Sequence, residues 1–150
     1  MALSDLYSEK ILEIAGNAPQ PGRLDHPDAS ARKVSRVCGS MIEVDVVVRD
    51  GVVTGYGHDV SACALGQTSA AIVARTIVGT PVAEFLSIRE TFRQMLKEQG
   101  VPPGGKWGDL KYLEPARDYP NRHMSMLLVF DAVAAALEKI ESDQSIVRES

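Results

Sequence analysis

The sequence predicts a single α+β domain over residues 1–150, with antiparallel strands packed on one face by helices. Three observations lead there. Met41 to Val48 alternates, with Ile42, Val44, Val46 and Val48 on one side and Glu43 and Asp45 on the other; Arg49-Asp50-Gly51 then supplies a tight turn into a return strand, Val52 to Val60. Helical periodicity dominates the chain before and after that hairpin. The order helix, loop, hairpin, helices keeps strands and helices in separate blocks, as in an α+β domain.

In chain order, Leu3 to Ala15 reads as an amphipathic helix with Ser4 as cap, Leu6, Ile11, Leu12 and Ile14 apolar, and Gly16 placed to end it. Asn17 to Ser30 carries Pro19, Pro21, Gly22 and Pro27 and reads as an irregular loop, which makes His26 a solvated loop residue. On the return strand Tyr56 and His58 are two residues apart and share a face. A lone strand histidine is more often structural than a ligand. Ala64 to Val78 has the composition of a buried helix, closed by Gly79. Thr80-Pro81 caps and starts another helical stretch. Ser87-Ile88-Arg89-Glu90 is a capping-box pattern, which predicts a helix starting or restarting there and running through Phe92, Met95 and Leu96 to Gly100. Val101-Pro102-Pro103-Gly104-Gly105 breaks the pattern; it lacks the Lys-Ser/Thr of a phosphate loop and reads as a linker. A short helix at Trp107 to Leu113, a second break at Glu114 to Asn121 and a long helix from Arg122 to Ile140 follow. That helix sets Met126, Val129, Phe130, Val133 and Leu137 on one side, and Met124, Met126, Leu127 and Phe130 read as core. Residues 141–150 are polar, and a frayed tail is expected.

Composition excludes several classes of function. A chain of 150 residues with 45% hydrophobic and 24% charged residues can bury one core. Its net charge of -4 and pI near 5.4 come without any basic cluster, which argues against a nucleic-acid partner. No apolar stretch approaches the roughly 18 residues of a membrane span, and the first residues do not read as a signal peptide. The expectation is a soluble cytoplasmic protein with no membrane partner. Two cysteines in a reducing compartment are read as free thiols, ligands or reactive groups.

Those cysteines, Cys38 and Cys63, each fall at the edge of a regular element. A separation of 25 residues does not make a zinc finger, whose four ligands come in short paired spacings. A reversible disulfide between them requires Cα atoms within about 7 Å. Burial as small apolar residues is the plain alternative.

Their context says more. Leu6-Tyr7 in the first helix, the proline-rich Asn17-to-Gly22 loop, Cys38-Gly39 before the hairpin, Cys63 before an alanine-rich helix, Gly108-Asp109-Leu110, and Pro120-Asn121-Arg122 before the last helix together resemble the iron–sulfur cluster assembly scaffolds of the IscU/SufU/NifU type, over about Leu6 to Ile140. The long spacing to the last site position is closest to the SufU-like subgroup. The resemblance implies a SufE/NifU-like fold and one site built from three cysteines and an aspartate. Carried over, Cys38 and Cys63 match the first two cysteines, the aspartate falls on Ser40 and the third cysteine on Ser125. Both serines are poorer metal ligands than the groups they stand for. His123, two residues before Ser125, is a candidate replacement ligand, although two helical residues turn a side chain about 200°; His58 is a weaker one, and nothing singles out Asp59 or Asp109.

The function implied is that of a scaffold or carrier, not an enzyme: Cys38 and Cys63 receive sulfur and iron and pass on a labile cluster, [2Fe–2S] in type and transient, with zinc as an alternative occupant. The implied partners are a cysteine desulfurase and apo iron–sulfur proteins. A homodimer is attractive because one chain offers two thiols and a [2Fe–2S] cluster takes four strong ligands. The alternative is a degenerate homologue that docks on a desulfurase or assembly partner without holding metal.

Overall fold

A computed structural model describes residues 8–18, 21–36 and 39–149, with side chains as far as residue 141. Cys38, and Leu3, Ser4 and Leu6 of the expected first helix, lie outside the described residues. The order is α1 (Glu9–Gly16), β1 (Ala29–Ser35), β2 (Ser40–Arg49), β3 (Val52–Ser61), α2 (Ala64–Thr76), α3 (Val82–Lys97), a 3-10 segment (Gly105–Asp118) and α4 (Pro120–Glu149). The three strands form one antiparallel sheet in the order β1-β2-β3, with helices packed against it, as the α+β reading expects.

The hairpin follows the sequence closely. Asp50 (φ 54°) and Gly51 (φ 76°) both adopt left-handed conformations, the requirement of a type I′ turn whose twist matches the flanking strands. Ser40, Ile42, Val44 and Val46 form a buried row, and opposite Val46 and Val44 the return strand contributes Tyr56 and His58, both buried and sharing a face as expected. On the other face Asp45 pairs across from Gly57, and the loop through Gly22 and Leu24 lies directly on that glycine. A Cβ on Gly57 would stand 2.3 Å from the Gly22 carbonyl oxygen, so only glycine admits the loop. The loop is fastened by the Asp45 carboxylate, which accepts from Arg23 Nε at 2.6 Å, Arg23 at 2.8 Å, the Leu24 amide at 2.9 Å and the Ser30 hydroxyl. Arg23 holds this carboxyl at about 2, against the opposing effect of burial.

Several expectations need correction. The segment Ala29 to Ser35 is an edge strand and not the end of a loop: only Ala31 and Ser35 are buried on it, so the alternation is too weak to read. α1 is capped by Ser8, whose Oγ accepts from the Ile11 amide at 3.3 Å. Ser87 caps nothing, because α3 runs unbroken from Val82 to Lys97 and buries Phe85, Phe92, Met95 and Leu96. The residues around Trp107 form a 14-residue 3-10 segment, long for this geometry, that passes through Pro115 to Asp118. Its buried residues, Trp107, Leu110, Leu113 and Ala116, recur every third position, the period of a 3-10 helix.

The core is held by an aromatic cluster in which Phe130 of α4 stacks on Phe85 at 5.5 Å and meets Phe92 at 5.1 Å, with Trp107 edge-on to Phe85. Met124 lies outside it and is 49% exposed. α4 begins at Pro120, whose missing amide costs nothing at a helix start, and continues past the expected end to Glu149. α2 is buried over Leu65 to Val73 apart from Gln67, and its small residues let α4 approach closely. Ser69 Oγ donates to the Met126 carbonyl at 2.6 Å, and Thr68 Oγ lies 3.2 Å from the Ile11 carbonyl oxygen and ties α1 to α2.

Candidate functional site

Three elements deliver one polar side chain each to a common point. Ser40 opens β2 and continues the inward row of Ile42, Val44 and Val46. Cys63 is the N-cap residue of α2, in extended conformation (φ -67°, ψ 172°). Ser125 lies in the second turn of α4. Ser40 Oγ and Ser125 Oγ are 3.1 Å apart, both buried, and Cys63 Sγ stands 3.4 Å from Ser125 Oγ. Three of the four positions marked by the sequence resemblance therefore meet, across 85 residues of chain between the serines and 62 between Cys63 and Ser125.

Packing fixes the contact from beneath. A Cβ on Gly66 would lie 2.6 Å from Ser125 Oγ and 2.8 Å from the Ala62 Cβ, so the glycine is what lets α4 bring Ser125 against the start of α2. Sequence reasoning did not single out Gly66. Its signal was a glycine inside an otherwise alanine-rich helix, which marks a close approach more often than flexibility.

Cys63 is a partly buried free thiol. Burial pushes it up, but the Ser125 hydroxyl, the Gly66 and Leu65 amides at the positive end of α2 and the charge of Arg122 outweigh burial, and the thiol titrates below its ordinary range. A lowered thiol at a helix N-terminus is the setting of a nucleophilic cysteine.

The histidines have other partners or lie in solvent. His123 is buried, with Nε2 at 3.0 Å from the Ala116 carbonyl oxygen and 3.1 Å from that of Arg117. Two carbonyl partners make Nε2 the donor, and burial holds the ring below its ordinary value, so His123 fastens the end of the 3-10 segment to α4. His58 Nδ1 lies 2.9 Å from the Tyr56 hydroxyl, and burial keeps this ring neutral as well. His26 is exposed in the loop, and Asp109 is paired with Arg75.

Among the described residues, no group of three His, Cys, Asp or Glu side chains comes together. Among the described residues the side chains that converge are one thiol and two hydroxyls, the hydroxyls bonded to each other. A resident zinc site takes four ligands drawn from thiolate, imidazole and carboxylate, and of those the described part of this cluster supplies one, Cys63.

Comparison with known proteins gives concordant results. The family model described as NifU-like N terminal domain matches residues 6–109. The crystal structure of a nitrogen-fixing NifU-like protein (N-terminal) from Brucella abortus is 47% identical, with a TM-score of 0.91, over 93% of this chain and 97% of that one. A putative iron–sulfur cluster assembly scaffold protein for the SUF system from Fervidobacterium islandicum AW-1 is 18% identical, with a TM-score of 0.82 over 91% and 99%, and shares the fold. Comparison with curated proteins returns no match. Among the described residues no helix is long and apolar enough to cross a membrane.

Proposed function

Since the chain belongs to the NifU-like N-terminal domain family, we propose that it serves iron–sulfur cluster assembly as a scaffold or carrier, with Cys38 and Cys63 as the groups that receive cargo. The observation that carries this reading is the convergence of Ser40, Cys63 and Ser125 from three separate elements onto one point. A core built only for stability has no need to place a lowered thiol there.

In this reading a cysteine desulfurase supplies sulfur as a persulfide, and an apo iron–sulfur protein takes the product. One chain offers two thiolates, so a [2Fe–2S] cluster is completed by thiolates of a second copy or of the acceptor. Anaerobic reconstitution with ferrous iron and a sulfur source tests it. Charge-transfer absorption should appear with the wild-type protein and vanish in Cys38→Ser and in Cys63→Ser; full absorption in either variant overturns the assignment.

The hydrogen bond between Ser40 and Ser125 favours a second reading, in which the chain docks on a desulfurase or assembly partner and carries nothing. There, both cysteine variants bind the desulfurase as well as the wild type does and support its activity equally.

A further inference from the structure

We infer that the groove between α3 and α4, at the hairpin-turn end of the domain, is a docking site for a basic amphipathic helix of a partner protein. The inference does not rest on the assembly reading. Ser125 and Glu138 both stand on α4, separated along it by about 20 Å at 1.5 Å per residue, so a short helix seated in the groove lies well away from Cys63.

The cavity measures about 470 Å³. α3 supplies Val82 and Leu86 to it, α4 supplies Ala134, Leu137 and Ile140, and the end of β2 supplies Val48. On each helix these side chains recur at three- or four-residue spacing, so each wall is a ridge of groups one turn apart. Two such ridges with a gap between them complement a third helix, whose own apolar side chains come at the same interval. The gap is open to solvent: Leu86 is 40% exposed, while Phe85 beside it is fully buried in the core.

The rim decides the occupant. Asp50 of the hairpin turn and Glu138 and Glu141 of α4 line the same groove, and all three are exposed. Among the described residues no Lys or Arg pairs with any of them. Arg89, the cation of the lining, is bound to Asp131 through Nη2 at 2.9 Å and Nε at 3.2 Å. Lys139 donates to the Ser30 carbonyl at 2.6 Å. Three carboxylates are left without a counter-charge, two of them one turn apart on a single helix, where like charges repel. Lysines or arginines flanking the apolar stripe of a bound helix supply that counter-charge, and the net charge of -4 steers such a partner in.

A second copy of this chain fits the groove less well. Its exposed apolar residue with two basic neighbours is Val34, beside Arg32 and Lys33, and that residue lies on the edge strand β1 and not on a helix. Seating it in the groove joins unlike surfaces head to tail, a contact that two copies do not close.

Fluorescence anisotropy on the full chain tests this. The probe is a dye-labelled helical peptide about four turns long, with leucines in one stripe at three- and four-residue spacing and lysines on both sides of it. Two controls keep its length: one has the same composition with the leucines spread around the helix, and the other carries Glu in place of every Lys. The striped basic peptide should bind, and each control should bind at least about tenfold more weakly. Leu86→Lys and Glu138→Lys/Glu141→Lys should each lower its affinity about tenfold, and Glu138→Gln/Glu141→Gln should lower it less and flatten its salt dependence. Val101→Lys, a charge added on an exposed residue outside the groove, should leave binding unchanged, and the groove variants should leave Cys63 alkylation unchanged. The substituted side chains are all exposed, and circular dichroism checks the fold; if Leu86→Lys unfolds, the two glutamate variants carry the test. Absence of binding by the striped peptide, equal binding by either control, or undiminished binding by the folded groove variants overturns the inference. Sedimentation of the free protein should be the same for wild type and Leu86→Lys; a concentration-dependent oligomer that Leu86→Lys dissolves gives the groove to a second copy and overturns it too.

Discussion

Removing the Ser125 hydroxyl is the sharpest perturbation of the site. Ser125→Ala deletes the donor 3.4 Å from Cys63 Sγ and takes from the buried Ser40 its partner at 3.1 Å. A hydrogen bond to a charged group contributes about 1.5–3 kcal/mol, and because Cys63 is only partly buried the lower figure applies. Its loss lets the thiol rise back towards its ordinary range. The sign follows from the depressed folded value: the thiolate and the stability tied to it are present above the thiol's unfolded value and are lost as pH falls through the lower, folded one. Raising that midpoint therefore removes thiolate at neutral pH, and alkylation there should slow, by up to about tenfold, the equivalent of that hydrogen bond. The assay is the pH dependence of iodoacetamide alkylation in a Cys38→Ser background, where Cys63 is the single thiol. Ser40→Ala should shift the midpoint less, because Ser125 still donates. The orphaned Ser40 hydroxyl costs about 1–3 kcal/mol, enough to lower Tm by several degrees in a domain of this size. An unchanged midpoint in Ser125→Ala, in a protein that remains folded, refutes this role for the hydroxyl.

Three further outcomes follow from the same geometry. Gly66→Ala puts a methyl 2.6 Å from Ser125 Oγ and should cost about 1–3 kcal/mol by denaturant melting while also raising the Cys63 midpoint; neither change would mean that α4 yields freely. Asp45→Asn loses a carboxylate held at about 2 against an ordinary 3.8; its stability is present above the ordinary value and is lost as pH falls towards 2, so the variant should be less stable near neutrality by about 1.5–3 kcal/mol and lose less on acidification. Gly51→Val forces a branched side chain to φ 76° in the hairpin turn and should cost about 1–2 kcal/mol by thermal melting, with no effect on Cys63 alkylation.

What could be read from the sequence divides along physical lines. The hairpin was legible because its alternation and its Asp-Gly turn are local signals, and the parity that buries Ile42, Val44 and Val46 also sends Ser40 inward. β1 was not, because an edge strand with Arg32, Lys33 and Val34 exposed has little pattern to show. The three-residue period of Trp107, Leu110, Leu113 and Ala116 is present in the sequence, but Pro115 inside it mimics a break and so hides the second half of the segment. Ser87 mimics a cap because Glu90 stands three residues on, yet Phe85 is fully buried before it and Phe92 after it, and that packing carries α3 straight through. The meeting of Cys63 with Ser125 has no local signal at all; it is a product of how α2 and α4 pack, and only the family resemblance pointed to it.

That packing also separates where the site lies from what it can do. Its position is set by contacts that do not involve the reactive atoms: Gly66 under Ser125, Ser69 on the Met126 carbonyl, and Ile42 and Val44 behind Ser40. None of these depends on whether the third and fourth groups are hydroxyls, a thiolate or a carboxylate. Serine and cysteine are close in volume, so either fits this packing, and the hydroxyl offers a neutral donor where a thiolate would be an anionic ligand. With hydroxyls at Ser40 and Ser125, the Cys63 thiolate has a hydrogen-bond donor beside it and the Arg122 charge acts on it with no carboxylate at either position. Hydroxyl donors beside the sulfur favour its charged form, and the packing beneath does not depend on them.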